Sequence, residues 1–378
     1  MLYSIDLLVK EFFSLMNFIV DAHEDLAWNM AVFQRDYTRS VQETRHIEQG
    51  LPVVQHNGNT LLGYPEFQRG QVGLIFATLF LSPARKKIEE WDKLIYHNFE
   101  EAHQLYRDQI DIYRRLIDEH PDKFNIIRDQ RGLDLLLSKW QDTESEHAPP
   151  TGLIMLMEGA EGVRSPEELE EWWDLGLRII GPAWAGTRYC GGTNEPGALT
   201  AAGKELLGAM ADFGFTLDLS HMDEKATLEA LDIYEGAIIA SHSNAAVLLP
   251  NSGSNRHLSD RVIHGIIERE GVIGVVPFNA FLQAGWKKTD GRKDISLKHV
   301  VAQIDHICQI AGDAHHVGIG SDFDGGFGLD SVPSDIDTIA DLQKLSPLLA
   351  ERGYTEKDNA AIFGANFINH LKKNLPST

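Results

Sequence analysis

The chain predicts an α/β fold, a (β/α)8 barrel of eight parallel strands. Three observations carry this. Eight short apolar runs recur along the chain, and most are continuous rather than alternating, as parallel strands buried on both faces require. Segments of helical period separate them. The length, 378 residues, suits a single barrel domain spanning residues 1–378, with insertions.

In order, the strands are NFIVDAH at 17–23, VGLIFATLFL at 72–81, GLIMLME at 152–158 and LRIIGPAW at 177–184. FTLDLSH at 215–221, AIIASHS at 237–243, VIGVVPF at 272–278 and HVGIGSD at 316–322 complete the set. A long helix is expected over 88–120, and another over 165–176, where Ser165 is placed to cap and Pro166 to open the first turn. Two more are expected at 298–312 and 355–373. Residues 1–16 read as an amphipathic helical extension feeding the first strand, and either Met1 or Met16 serves as a start. Residues 36–65 are polar and irregular, and fall at the strand C-termini, the end where barrels build active sites.

Composition removes several function classes. A net charge of −22 repels phosphate backbones, so general nucleic-acid binding is disfavoured. Two cysteines, Cys190 and Cys308, supply neither a disulfide framework nor a cysteine-based zinc motif, which suits a reducing compartment. No apolar run is long enough to span a bilayer, and Asp6, Lys10 and Glu11 interrupt the apolar start, unlike a secretory signal. The C-terminus offers no lipid-anchor motif. A cytoplasmic location with no membrane association is the expectation.

The chemistry lies in how the apolar runs end. The first ends in His23 and Asp25, two apart and so aimed to one side of a strand. The third ends in Glu158, the fifth in His221, the sixth in His242 and the eighth in Asp322. A single histidine or acid at a strand end is more often a satisfied loop residue. Six of them at the same end of five barrel strands converge on one mouth. Three imidazoles with these carboxylates can hold two divalent metals if one carboxylate bridges, and the ligand types suit zinc, with manganese or iron as alternatives. Such a pair makes hydroxide from water at neutral pH. A further carboxylate can carry the proton to a leaving group; Asp322 fits that role, and fits equally as a ligand.

The motifs DAHEDL, MEG, DLSH, SHSNA, NRHLSD and GIGSDFDG, in this order, resemble the membrane dipeptidase (renal dipeptidase, peptidase M19) family of the amidohydrolase barrels. The resemblance covers nearly the whole chain. It implies a barrel of the metal-dependent hydrolase type with two zinc ions, His23 and Asp25 holding one, His221 and His242 the other, and Glu158 bridging. It implies that Asp322 is the strand-eight acid and that Arg256 binds a substrate carboxylate, to which a guanidinium fork is well matched. A metal-bridged hydroxide would then attack the amide of a dipeptide, including one with a D-residue at its C-terminal position. Homodimers are common in the family.

Two departures stand out. Trp184 occupies the place where the family carries a substrate-contacting histidine, and it offers one N–H and a large apolar face instead. Glu161 falls near a second family histidine. Arg188 and Tyr189, in the following loop, are candidates to replace the lost donor. The substituted shell leaves open a second substrate class, another amide, a lactam or an ester. A third reading is a metal-bound barrel that binds without turnover.

Overall fold

The computed structural model describes residues 17–86, 91–142 and 144–377. Eight parallel strands close into a barrel: β1 Ile19–Glu24, β2 Val72–Phe80, β3 Thr151–Glu158, β4 Leu177–Gly181, β5 Thr216–Asp218, β6 Ile238–Ala240, β7 Val272–Val275 and β8 Val317–Ile319. Neighbours run β2-β1-β8-β7-β6-β5-β4-β3, and β3 pairs back onto β2 to complete the ring. Every residue of β2 and β3 is buried. This is the environment their unbroken apolar runs require, each buried aliphatic side chain contributing about 1.5–3 kcal/mol.

All eight strands overlap the expected runs. The later ones are shorter, because the chain leaves the sheet as soon as it reaches the site residues. His221 and Asp322 both have left-handed backbone, with φ of 66° and 56°. Such a conformation is uncommon for residues other than glycine, and it ends strand pairing while turning the side chain inward. At β7 and after β8, a Cβ on Gly274 or Gly320 would sit 1.9 Å from the Ser241 carbonyl oxygen. The glycines are what allow these strands to pass so close to the backbone beside His242.

The helices depart from expectation in instructive ways. The long helix spans Phe99–Glu119, with Asn98 Oδ1 accepting from the Glu101 N–H at 2.9 Å. Its expected first part is instead a short strand, Ile95–Tyr96, paired with Ser82–Pro83; residues 87–90 lie outside the described residues, as does the extension at 1–16. Ser165 has extended backbone but makes no cap bond, and Pro166–Glu168 form a 3-10 turn before the helix Leu169–Leu175. The remaining two expectations correspond to Leu297–Ala311 and to a C-terminal helix, Glu356–Ala360 and Asn366–Asn374, joined through a wide π turn. Among the described residues no helix is long and apolar enough to cross a membrane.

The irregular region after β1 is held down at the barrel mouth by one buried acid. Asp324, just past β8, accepts from Thr60 Oγ1 at 2.5 Å, the Leu61 N–H at 2.9 Å and Tyr37 Oη at 3.1 Å, and pairs with Arg35 at 3.1 Å. Arg35 in turn binds Glu48 at 2.9 Å. These bonds fix the 36–65 segment over the strand ends.

Candidate metal centre

Six side chains from five strands meet at the mouth. His23 lies within β1, and Asp25 follows it at the start of the helix Leu26–Phe33. Glu158 is the last residue of β3; His221, His242 and Asp322 follow β5, β6 and β8. All but Asp322 are buried, and Asp322 is half-buried.

Their ligand atoms face one another. Glu158 Oε1 is 3.0 Å from His221 Nε2 and 3.3 Å from His242 Nε2, while its Oε2 is 3.8 Å from His23 Nε2. His23 Nε2 and Asp25 Oδ1 are 3.9 Å apart, and the Nε2 atoms of His221 and His242 are 2.8 Å apart. Two triads, His23–Glu158–His242 and His23–Asp25–Asp322, each place their ligand atoms within 4.8 Å of one another.

This arrangement fits bound cations and fits poorly without them. His23 Nε2, Asp25 Oδ1 and Glu158 Oε1 are buried and have no hydrogen-bond partner, a costly state for polar atoms. Burial, helped by the charge of Arg256, drives the His23 imidazolium down to about 3, and holds His221 and His242 well below the usual range. The rings are therefore neutral, the form that ligates. Burial pushes Asp25 up to about 7, and burial plus the neighbouring Asp25 raises Glu158 and Asp322. A divalent cation supplies the positive charge these carboxylates lack.

The outer ring nitrogens are occupied, as metal-binding histidines require. Thr193 Oγ1 is 3.0 Å from His221 Nδ1, and Ser241 Oγ is 2.8 Å from His242 Nδ1. Thr193 comes from an antiparallel hairpin, Cys190–Gly192 with Glu195–Leu199, that folds over the mouth.

Above the cluster lies a cavity of about 540 Å³, lined by Asp25, Glu158, His221, His242, Asp322 and Arg256 among others. Arg256 is buried; its guanidinium donates to Ser243 Oγ at 3.1 Å and the His242 carbonyl at 2.5 Å and leaves Nε without a partner. It is not held by Asp260, which pairs with His306 at 2.8 Å. Trp184 forms part of the wall, its ring 5.1 Å from Phe80 and 6.3 Å from His221. Trp28, Phe278, Phe281 and Phe327 extend the aromatic lining.

Arg188 and Tyr189 are not brought to this cavity. Both donate instead to the Val163 carbonyl, Tyr189 buried there and the Arg188 guanidinium 4.6 Å over Phe99. Arg188 and Glu161 line a separate cleft. The expectation that either Arg188 or Tyr189 replaces the missing substrate donor is corrected on that ground. His56 also lines the cavity, its ring 4.5 Å from Trp91. Glu24 points away from the cluster and is fully buried beside Asp21.

With the geometry in place, comparison with known proteins gives a consistent result. The sequence profile described as Membrane dipeptidase (Peptidase family M19) matches residues 12–375. An uncharacterized protein in the pqqA 5′ region of Klebsiella pneumoniae is 33% identical over 58% of this chain and 81% of that protein. Dipeptidase tcpJ of Claviceps purpurea is 24% identical over 83% of this chain and 70% of its own. The crystal structure of a metallo peptidase from Rhodobacter sphaeroides, liganded with a phosphinate mimic of L-Ala-D-Ala, superposes with a TM-score of 0.74 at 21% identity, covering 94% of this chain and 99% of that one.

Proposed function

The chain belongs to the membrane dipeptidase family and is a metal-dependent hydrolase, and from that premise we propose that its mouth cleaves the amide bond of a dipeptide. The observation that carries the proposal is the buried convergence of unpartnered ligand atoms beside an equally buried, incompletely satisfied Arg256 in one cavity.

His23 and Asp25 would hold one cation and His221 and His242 the other. Glu158 would serve both, a reading supported by its Oε2 facing His23 while its Oε1 faces the other two histidines. Imidazole and carboxylate donors favour zinc. When bound, the cations would lower the pKa of a water and polarise the scissile carbonyl.

The protein's own groups do the rest. Arg256 grips the free carboxylate of the substrate through a charge-assisted fork and sets the register of the scissile bond. Asp322 takes a proton from the attacking water on a carboxylate oxygen and delivers it to the departing amine. Burial and the neighbouring Asp25 raise its pKa, which favours the protonated form that donates to the amine. Trp28, Phe80 and Trp184 exclude water and shape the cavity for a large apolar side chain. A D-residue at the C-terminal position is part of the proposal, supported by the L-Ala-D-Ala mimic bound to the Rhodobacter sphaeroides relative.

Two second readings have specific support. Asp322 lies within 4.8 Å of the ligand atoms of His23 and Asp25, which supports ligation as a second role for it. Trp184 in the cavity wall favours a non-dipeptide amide, lactam or ester. The test compares a dipeptide with its C-terminal amide. A dipeptidase that uses Arg256 hydrolyses the free acid and loses about 10–100-fold in kcat/KM on the amide; equal rates on both would move the substrate to the second class.

A further inference from the structure

Below the ligand atoms, on the side facing the barrel interior, one hydroxyl touches two of the three histidines. Ser241 Oγ is 2.8 Å from His242 Nδ1 and 3.4 Å from His23 Nδ1. It is also 2.5 Å from Asp218 Oδ2, with Ser220 Oγ more distant at 3.3 Å. The other oxygen of Asp218 is spoken for, accepting from the backbone N–H groups of Ser220 at 3.0 Å and Ser241 at 2.8 Å. Asp218, Ser241, His23 and His242 are all buried, so bulk water is no substitute partner.

A hydroxyl has one proton to give and two lone pairs to offer. Here the proton goes to the carboxylate, the shortest and only charged acceptor in reach. Both lone pairs then remain for N–H donors, and the two Nδ1 atoms are those donors. A ring carrying its proton on Nδ1 presents a bare Nε2, the atom that a metal needs. We infer that Asp218 and Ser241 form a positioning relay that sets the metal-binding tautomer of His23 and His242 at once, and so couples the two halves of the metal centre through one serine. The inference rests on the two-cation reading given above. His221 stands outside the relay, since its Nδ1 meets Thr193 instead.

The relay makes an unusual prediction for an isosteric change. In Asp218→Asn the amide carbonyl must stay where the two backbone N–H groups converge, which puts the NH2 group against Ser241. The amide then donates to the serine, and the serine proton is turned towards one histidine Nδ1. That ring moves its proton to Nε2 and stops ligating. Asp218→Asn therefore loses affinity for zinc about 10–100-fold at one equivalent or more, although volume and fold are kept. Ser241→Ala weakens both equivalents, whereas Thr193→Ala weakens one. The double variant Asp218→Asn/Ser241→Ala binds no more weakly than Ser241→Ala alone, because the misdirected proton is gone.

The experiment is titration of metal-stripped full-length protein with zinc against a competing chelator, with thermal unfolding of each metal-free variant alongside. Two equivalents in wild type, the stated losses, non-additivity in the double variant and unchanged metal-free melting support the relay. Two equivalents in wild type with unchanged affinity in Asp218→Asn, or with additive losses in the double variant, overturn it and leave the hydrolase reading standing. Fewer than two equivalents in wild type overturn the two-cation reading and the relay with it.

Discussion

The barrel has a cavity at each end, and both measure about 540 Å³. The one at the strand N-termini is lined by Glu235, Arg269, Glu270, His315, His370 and Lys373 with a few neutral groups, so it is no less polar or titratable than the mouth. Its charges, however, are spent on one another and on the backbone. Arg269 donates to the carbonyls of Leu231, Tyr234 and Gly236; Glu270 pairs with Lys373; His315 pairs with Asp313 at 3.3 Å. Among the described residues lining it, only His370 has a buried side-chain atom, Nε2, left without a hydrogen-bond partner. At the mouth Asp25, Glu158 and Arg256 all do, and those of Asp25 and Glu158 face the histidine cluster. The two ends are alike in volume, and the end opposite the mouth is the more polar; convergence of unsatisfied donors and acceptors separates them.

Substitutions at the two ends should therefore have different consequences. The largest effect is expected at the mouth: Asp322→Asn should lower kcat about 10²–10⁴-fold if the carboxylate carries the proton, with metal content unchanged. Loss of a metal equivalent in that variant would instead make Asp322 a ligand. Trp184→Ala should cost about 10–200-fold in kcat/KM for dipeptides with a large apolar side chain and little for Gly-Gly; equal losses on both would remove Trp184 from specificity.

At the opposite end the effects should fall on stability alone. Burial lowers His370 from an ordinary value of 6.5 to about 4, with Lys373 adding to the shift and a backbone bond to Glu270 opposing it. The unfolded chain then takes up a proton below 6.5 that the folded chain refuses. The stability associated with neutral His370 is thus full above 6.5 and declines as the pH falls towards 4. Replacing His370 by Phe should flatten the acid limb of stability against pH by up to one proton, about 1.4 kcal/mol per pH unit, and leave kcat unchanged. An unchanged slope would show that His370 titrates normally. Smallest of all, Arg188→Ala should change kcat/KM less than about twofold and cost about 0.5–1 kcal/mol through the lost stacking on Phe99; a large kinetic effect would return Arg188 to the substrate.

The sequence was most legible where a rule links one residue to one position. Parallel strands must be apolar throughout, so the eight runs stood out, and the residue ending each run is forced to the mouth by topology. Loops obey no such rule. Arg188 and Tyr189 lie close in sequence to Trp184, yet their side chains turn from the cavity to donate to the Val163 carbonyl, where Tyr189 is buried. His56 and Trp91 reach the cavity from distant segments, and nothing in their local pattern marks them. Asp218 and Ser241 were visible letters in DLSH and ASHS, but their role depends on a contact between neighbouring strands that only the closed barrel creates. The expected helix is shortened because Asn98 caps it and the paired strand Ile95–Tyr96 takes the residues just before that cap.

The measurement that bears most directly on the account is hydrolysis of a dipeptide panel, D-residues at the second position included, by protein loaded with zinc, stripped by a chelator and then reloaded, with His23→Ala in parallel. Turnover is expected when zinc is present, with none after stripping, recovery on reloading, and none in His23→Ala at any metal level. Turnover that survives stripping, or that persists in His23→Ala, would contradict a metal-dependent site at the barrel mouth.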